Sequence, residues 1–185
     1  ALLAPAVIIL DKDGTTLGGW GNSAAVGGRL HDCHVNEDSS LWIVPAATGH
    51  IQRWSANGEL LAQIGDSDSF DSSDRSRSGE PLNSNSAQFF LPASVDVDES
   101  NGEIYVADGE LPGGNTRIAV FNADGSFQRQ WRLHRDDNDQ RTELPHCLRI
   151  SDDGLIYVCD RRADQIQVFD KQGELQQKIR APHTP

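Results

Sequence analysis

The chain has 185 residues and carries 28 Asp and Glu against 16 Lys and Arg, a formal charge of −12, with a pI near 4.7. That length is enough for one domain with its own core. The acidic balance argues against non-specific binding to nucleic acid or anionic membranes, which needs clustered positive charge, and no apolar run approaches the roughly 20 residues of a membrane helix.

The predicted elements come in a repeating order. The opening ALLAPAVIIL has no basic flank and reads as a strand rather than a signal segment. Residues 6–21 read as strand, Asp13-Gly14 turn and a strand ending on Trp20, which is the second half of a four-stranded unit. A complete unit spans 30–65: LHDCHV, SLWIV, GHIQRW and ELLAQI, with Asn57-Gly58 as its last turn. A third copy, 91–131, holds VDV, EIYVAD, TRIAVF and SFQRQW around Asp124-Gly125. The fourth, 144–180, reads CLRIS, LIYVCD, QIQVF and ELQQKI, with Gln172-Gly173 before the last strand. Short runs of Ile, Val, Tyr and Phe separated by Asp-Gly-type turns are the pattern of an antiparallel meander. A four-stranded meander repeated along a chain is the signature of β-propeller blades.

The fold expectation is therefore all-β, a single partial propeller domain over 1–185 with about three and a half four-stranded antiparallel blades. Propellers close with about 4–8 blades, and an open arc bares sheet faces. Both chain ends fall inside the repeat and there is no Met. The expectation is an excerpt of a longer ring, the other reading being a homo-oligomer in which two chains complete one ring. Positions 66–86, rich in Ser and Asp, are expected to form a mobile solvated loop. Its carboxylates suit calcium by type, but no D-x-D-x-D-G register or distal Glu is present. The charged connector 132–142 reads the same way.

Six histidines are present. A lone His at a strand start is ordinarily a turn residue bonded to backbone. Here His31 and His146 fill one shared slot, just before the innermost strand of copies two and four, while copy three has Ala93 there. An imidazole at that slot points toward the channel where blades converge, and imidazoles from alternate blades could share a metal. His34, His50, His134 and His183 fit no shared slot and read as surface residues. Three widely spaced cysteines, Cys33, Cys147 and Cys159, give no disulfide framework and no C-x-x-C clip. The redox compartment stays open, and Cys33 and Cys147 read as small buried apolar groups. Asp108 and Asp160 read as turn caps, and Trp20, Trp42, Trp54 and Trp131 as inter-blade core.

LHDCHVNEDSSLWIVPAATGHIQRW and LPHCLRISDDGLIYVCDRRADQIQVF both resemble the NHL repeat, with its Pro-His start, Asp-Gly turn, "IYVAD" strand and "RIQVF" strand. The likeness covers essentially the whole chain and is nearest to the family of peptidyl-α-hydroxyglycine α-amidating lyase. It implies a six-bladed ring, zinc in the central channel held by one His from each of three blades, a structural calcium, and extracytoplasmic placement. On that resemblance His31 and His146 are two of the zinc ligands, and the third ligand and a catalytic Arg lie outside this chain. The family's disulfide cysteines are not matched. Where the family has a Tyr after Asp-Gly, this chain has Glu110, a candidate catalytic base; the plain reading of a Glu after a strand is a solvated side chain. Two functions follow: a zinc-dependent carbon–nitrogen lyase of the amidating type acting on a peptide or small-molecule substrate in the channel, or a non-catalytic NHL scaffold for a protein, peptide or glycan. RNA-binding NHL surfaces are basic, and this chain is acidic.

Overall fold

A computed structural model describes residues 5–22, 24–27, 29–45, 48–136, 138 and 140–181; His183 lies outside them. The strands fall into a half blade and three full ones. The half blade pairs β1 (Val7–Leu10) with β2 (Thr16–Trp20). Blade two is the meander β3 (Leu30–Val35), β4 (Leu41–Pro45), β5 (Ile51–Trp54), β6 (Leu60–Ile64). Blade three is β7 (Pro92–Asp98), β8 (Glu103–Asp108), β9 (Arg117–Phe121), β10 (Phe127–Trp131). Blade four is β11 (Pro145–Ile150), β12 (Ile156–Asp160), β13 (Gln165–Phe169), β14 (Leu175–Arg180). Every named pairing is antiparallel and follows chain order, so the predicted blades stand.

Local chemistry makes the last hairpin of each blade. At 170–174 the Gly173 amide reaches the Asp170 carbonyl, and the Asp170 amide reaches that of Glu174. The Asp170 carboxylate accepts from the amides of Gln172 and Glu174, 3.0 and 2.9 Å away. Asp11 plays the same part in the half blade. The glycine in each of these turns has positive φ, 83° at Gly14 and 88° at Gly173, as a type I turn closed by a left-handed residue requires.

Apolar strand faces pack between blades. One cluster joins blades two and three through Trp42, Val44, Ile64, Phe89, Val95 and Phe121. A second joins blades three and four through Tyr105, Val120, Leu148, Val158 and Phe169, with Trp131 against it. A third sets Trp20 and Val7 of the half blade against Ile43 and Trp54. All four tryptophans thus serve inter-blade packing.

Sequence expectations for the 66–86 loop, the cysteines and His50 need correcting. Residues 66–86 are more than a solvated loop: Ser69, Asp71 and Ser72 are buried, and Ser72 bridges to Pro81. Asp71 accepts from the Ser84 amide and hydroxyl and from Asn115, while Arg117, wholly buried, lies between Asp71 and Asp108. Polar residues are held inside because each finds partners. The cysteines are also misjudged by spacing. Cys147 and Cys159 face each other across β11 and β12, Cα atoms 5.0 Å apart, and form a disulfide; strand register, not sequence interval, brings them together. Cys33 is an exposed free thiol, not a buried one. Finally, His50 is buried rather than on the surface, and burial pushes its imidazole below its ordinary value.

Candidate metal centre on the propeller axis

The first strands of blades two, three and four share a defect. The β3–β4 register shifts between Leu30 and Asp32, β7–β8 between Pro92 and Ser94, and β11–β12 between Pro145 and Cys147. The residues inside those irregularities are His31, Ala93 and His146. A bulge leaves one residue outside the ladder and re-aims its side chain. His31 and His146 are brought together, with ring centroids 4.9 Å apart and planes at 86°. The Ala93 carbonyl lies 2.6 Å from Nδ1 of His31.

Glu110 is the third member, and it is buried rather than solvated, with its side chain 1% exposed. Its Oε2 lies 3.0 Å from Nε2 of His31 and 2.9 Å from Nε2 of His146. Arg29 donates to the other oxygen, Oε1, at 2.8 Å. Backbone fixes this placement: the Glu110 amide donates to the Leu91 carbonyl at 2.8 Å. At Gly109 a Cβ would stand 2.6 Å from Cδ of Pro145, so glycine lets the residue before His146 seat against the residue before Glu110. Arg161 completes the surround, its Nη1 3.5 Å from Nε2 of His146.

The donor atoms of His31, Glu110 and His146 lie within 4.8 Å of one another. Two imidazole nitrogens and a carboxylate oxygen of this kind fit a divalent transition metal. Burial pushes His146 below its ordinary value; Glu110 opposes this, and His31 and Arg161 reinforce it. The balance favours the neutral ring that ligation needs.

Deeper along the same strands a polar chain links the blades. Arg149 clamps Asp32 at 3.1 and 3.0 Å, and Ser94 donates to Asp32 at 2.5 Å. Burial would raise the Asp32 carboxyl, but these bonds outweigh it and hold it below its ordinary value. His34, predicted at the surface, instead meets Asp96 at 2.5 Å, and that bond pulls its imidazole upward. Asp108 and Asp160 are buried and ion-paired to Arg117 and Arg135, a structural role. A cavity of about 640 Å³ lined by His34, Asp96, Glu99 and Asp152 contains none of His31, Glu110 or His146. Among the described residues it gathers no three donors around one point, so the axial cluster is the better candidate site.

Sequence reasoning paired His31 with His146 from their repeat slot. It had no signal for Arg29 or Arg161, which reach the site from a connector and a turn. Glu110 was reached through the family resemblance, as a candidate base in the tyrosine slot; its burial between the two imidazoles had no signal.

Comparison with known proteins agrees with this architecture. Residues 142–169 match the NHL repeat. The chain is 27% identical over 173 residues to NHL repeat-containing protein 3 of Homo sapiens, covering 90% of the chain and 46% of that protein. It is 31% identical over 156 residues to peptidyl-glycine alpha-amidating monooxygenase B of Xenopus laevis, covering 81% of the chain and 16% of that protein. The chain thus spans about half the length of the first relative and a small part of the second. Among solved structures, a streptogramin B lyase superposes with a TM-score of 0.59 at 16% identity, over 94% of the chain and 47% of its own. Virginiamycin B lyase of Staphylococcus aureus does so with a TM-score of 0.58 at 14% identity, over the same shares. These last two likenesses speak for the propeller fold alone.

Proposed function

We propose that this chain, an NHL-repeat β-propeller resembling peptidyl-α-hydroxyglycine α-amidating lyase, carries the zinc-binding part of a lyase of that type or of a relative acting on another small carbinol. The observation that supports it most is the meeting of two bulge-aimed imidazoles, His31 and His146, at one point on the axis. Zinc held there supplies Lewis-acid polarisation of a substrate hydroxyl, making its proton removable near neutral pH.

The chain's own residues do the rest. Ala93 holds the His31 ring through Nδ1, which keeps its other nitrogen turned toward the centre. Arg29 and Arg161 flank the site and suit a substrate carboxylate, which a peptidyl-α-hydroxyglycine carries. Loss of the carbinol proton lets the carbon–nitrogen bond break. The bonding pair passes to the amide nitrogen, which takes up a proton, and the carbinol carbon becomes the aldehyde of glyoxylate. Glu110 stands where the family has a tyrosine. A carboxylate with a guanidinium on one oxygen cannot donate as a phenol does, which tilts the reading from the amidating step toward a relative.

The test is the metal content of the purified full chain, alongside glyoxylate release from a peptidyl-α-hydroxyglycine. About one zinc per chain is expected, lost in His31→Ala and in His146→Ala with the fold retained by circular dichroism. A metal-free, correctly folded wild type would reject the lyase and leave the NHL scaffold reading.

A further inference from the structure

We infer that Glu110 is itself a metal ligand, so that the centre is a two-histidine, one-carboxylate set supplied entirely by blades two, three and four. The inference rests on the proposed metal site and deepens it. The argument is one of lone pairs. The Ala93 carbonyl can only accept, so Nδ1 of His31 carries a proton in that 2.6 Å contact, and Nε2 is the ring atom left to ligate. Arg161, which can only donate, lies 3.5 Å from Nε2 of His146. Both Nε2 atoms face Oε2 of Glu110, at 3.0 and 2.9 Å. That oxygen is buried, and among the described residues no donor reaches it with hydrogen-bond geometry. Two imidazole nitrogens and a carboxylate oxygen thus converge within 4.8 Å on one buried point, the donor set and spacing that a divalent metal takes.

The repeat explains why a carboxylate serves here. Blade three has Ala93 in the slot that holds His31 and His146 in its neighbours. The missing ring leaves space at the axis, and the same blade fills it from the segment just after β8. Arg29 takes Oε1, leaving Oε2 for the metal, so Arg29 is a positioning residue. Outer groups that orient a ligand are typically worth about 10–100-fold in metal affinity.

The test measures zinc affinity of the full chain by competition with a chromophoric chelator, and the visible spectrum of the cobalt(II)-substituted protein. Glu110→Gln keeps size and polarity but removes the charge. It should weaken zinc at least tenfold and change the cobalt spectrum. Arg29→Ala should weaken zinc about tenfold, and Arg29→Lys should restore most of it. Wild-type binding with an unchanged affinity and cobalt spectrum in Glu110→Gln would overturn the ligand role while leaving the two-histidine site standing. A wild type that binds neither metal would overturn the metal reading and this inference together.

Discussion

Single side chains set the acid limit of this molecule, and Glu103 is the clearest case. Burial would raise its carboxyl, but a two-point clamp from Arg129, with Tyr105 and Gln128 adding hydrogen bonds, brings it down from 4.5 to about 2. A carboxyl whose folded value lies below its unfolded one contributes stability that is complete above the unfolded value and is lost as pH falls toward the folded one. The contribution of Glu103 should therefore fade between about pH 4.5 and about pH 2. Arg129 also donates to the Lys171 carbonyl, so losing the clamp loosens blade three from blade four. Thermal melts across that window should show a shallower acid limb for Glu103→Gln than for wild type; superimposable limbs would refute the assignment. The axial cluster shows what residue-level reading can reach. His31 and His146 were legible because a repeat slot marks the same spatial point in each blade. Glu110 was named only through the family resemblance, as a base; its burial between the imidazoles was not legible, because that depends on Pro145 lying against Gly109 and on Arg29 arriving from another blade.

At the scale of elements, the last hairpin of each full blade docks its turn glycine on the final strand of the blade before. A Cβ on Gly58 would come within 2.8 Å of the Trp20 ring, and one on Gly173 within 2.6 Å of Trp131. Gly14 has the same positive φ but open space around it. The two effects can thus be separated. Gly14→Ala should cost only the backbone term, about 1 kcal/mol. Gly173→Ala adds an indole that must move within an inter-blade cluster and should cost about 2–4 kcal/mol. Equal losses in chemical denaturation would mean that the glycine–tryptophan contact contributes nothing. Strands and turns were readable because alternation and Asp-Gly chemistry act over a few residues. The Cys147–Cys159 pair was not, since it turns on the exact register of the β11–β12 hairpin, nor was the anchoring of 66–86, which depends on which distant segments the fold makes neighbours.

For the whole molecule, position in the arc decides burial. Blade three has a neighbour on each face, and every residue of β7 and β9 is buried. Equivalent strands at the sides of the arc are not: Leu30 and Val35 of β3 are 41% and 64% exposed, and Ile8, Leu10 and Leu17 of the half blade 56%, 53% and 68%. Apart from Leu17, whose slot holds the exposed Gln128 in blade three, these are core positions of the repeat facing water. Covering such apolar side chains yields about 1.5–3 kcal/mol each when complete, which favours association of the isolated 185-residue chain. Its charge of −12 opposes this, and salt screens that repulsion without weakening apolar burial. The chain should therefore elute above its 20.2 kDa monomer mass in size-exclusion chromatography with light scattering, and the shift should grow with protein concentration and with added sodium chloride. Leu17→Lys with Val35→Lys, placing charges on the half blade and the innermost strand, should drive the elution back toward monomer while keeping the strand signal in circular dichroism. A wild type that stays monomeric at tens of micromolar and high salt would mean that the exposed strands are tolerated in water, and the account of burial by neighbouring blades would fail with it.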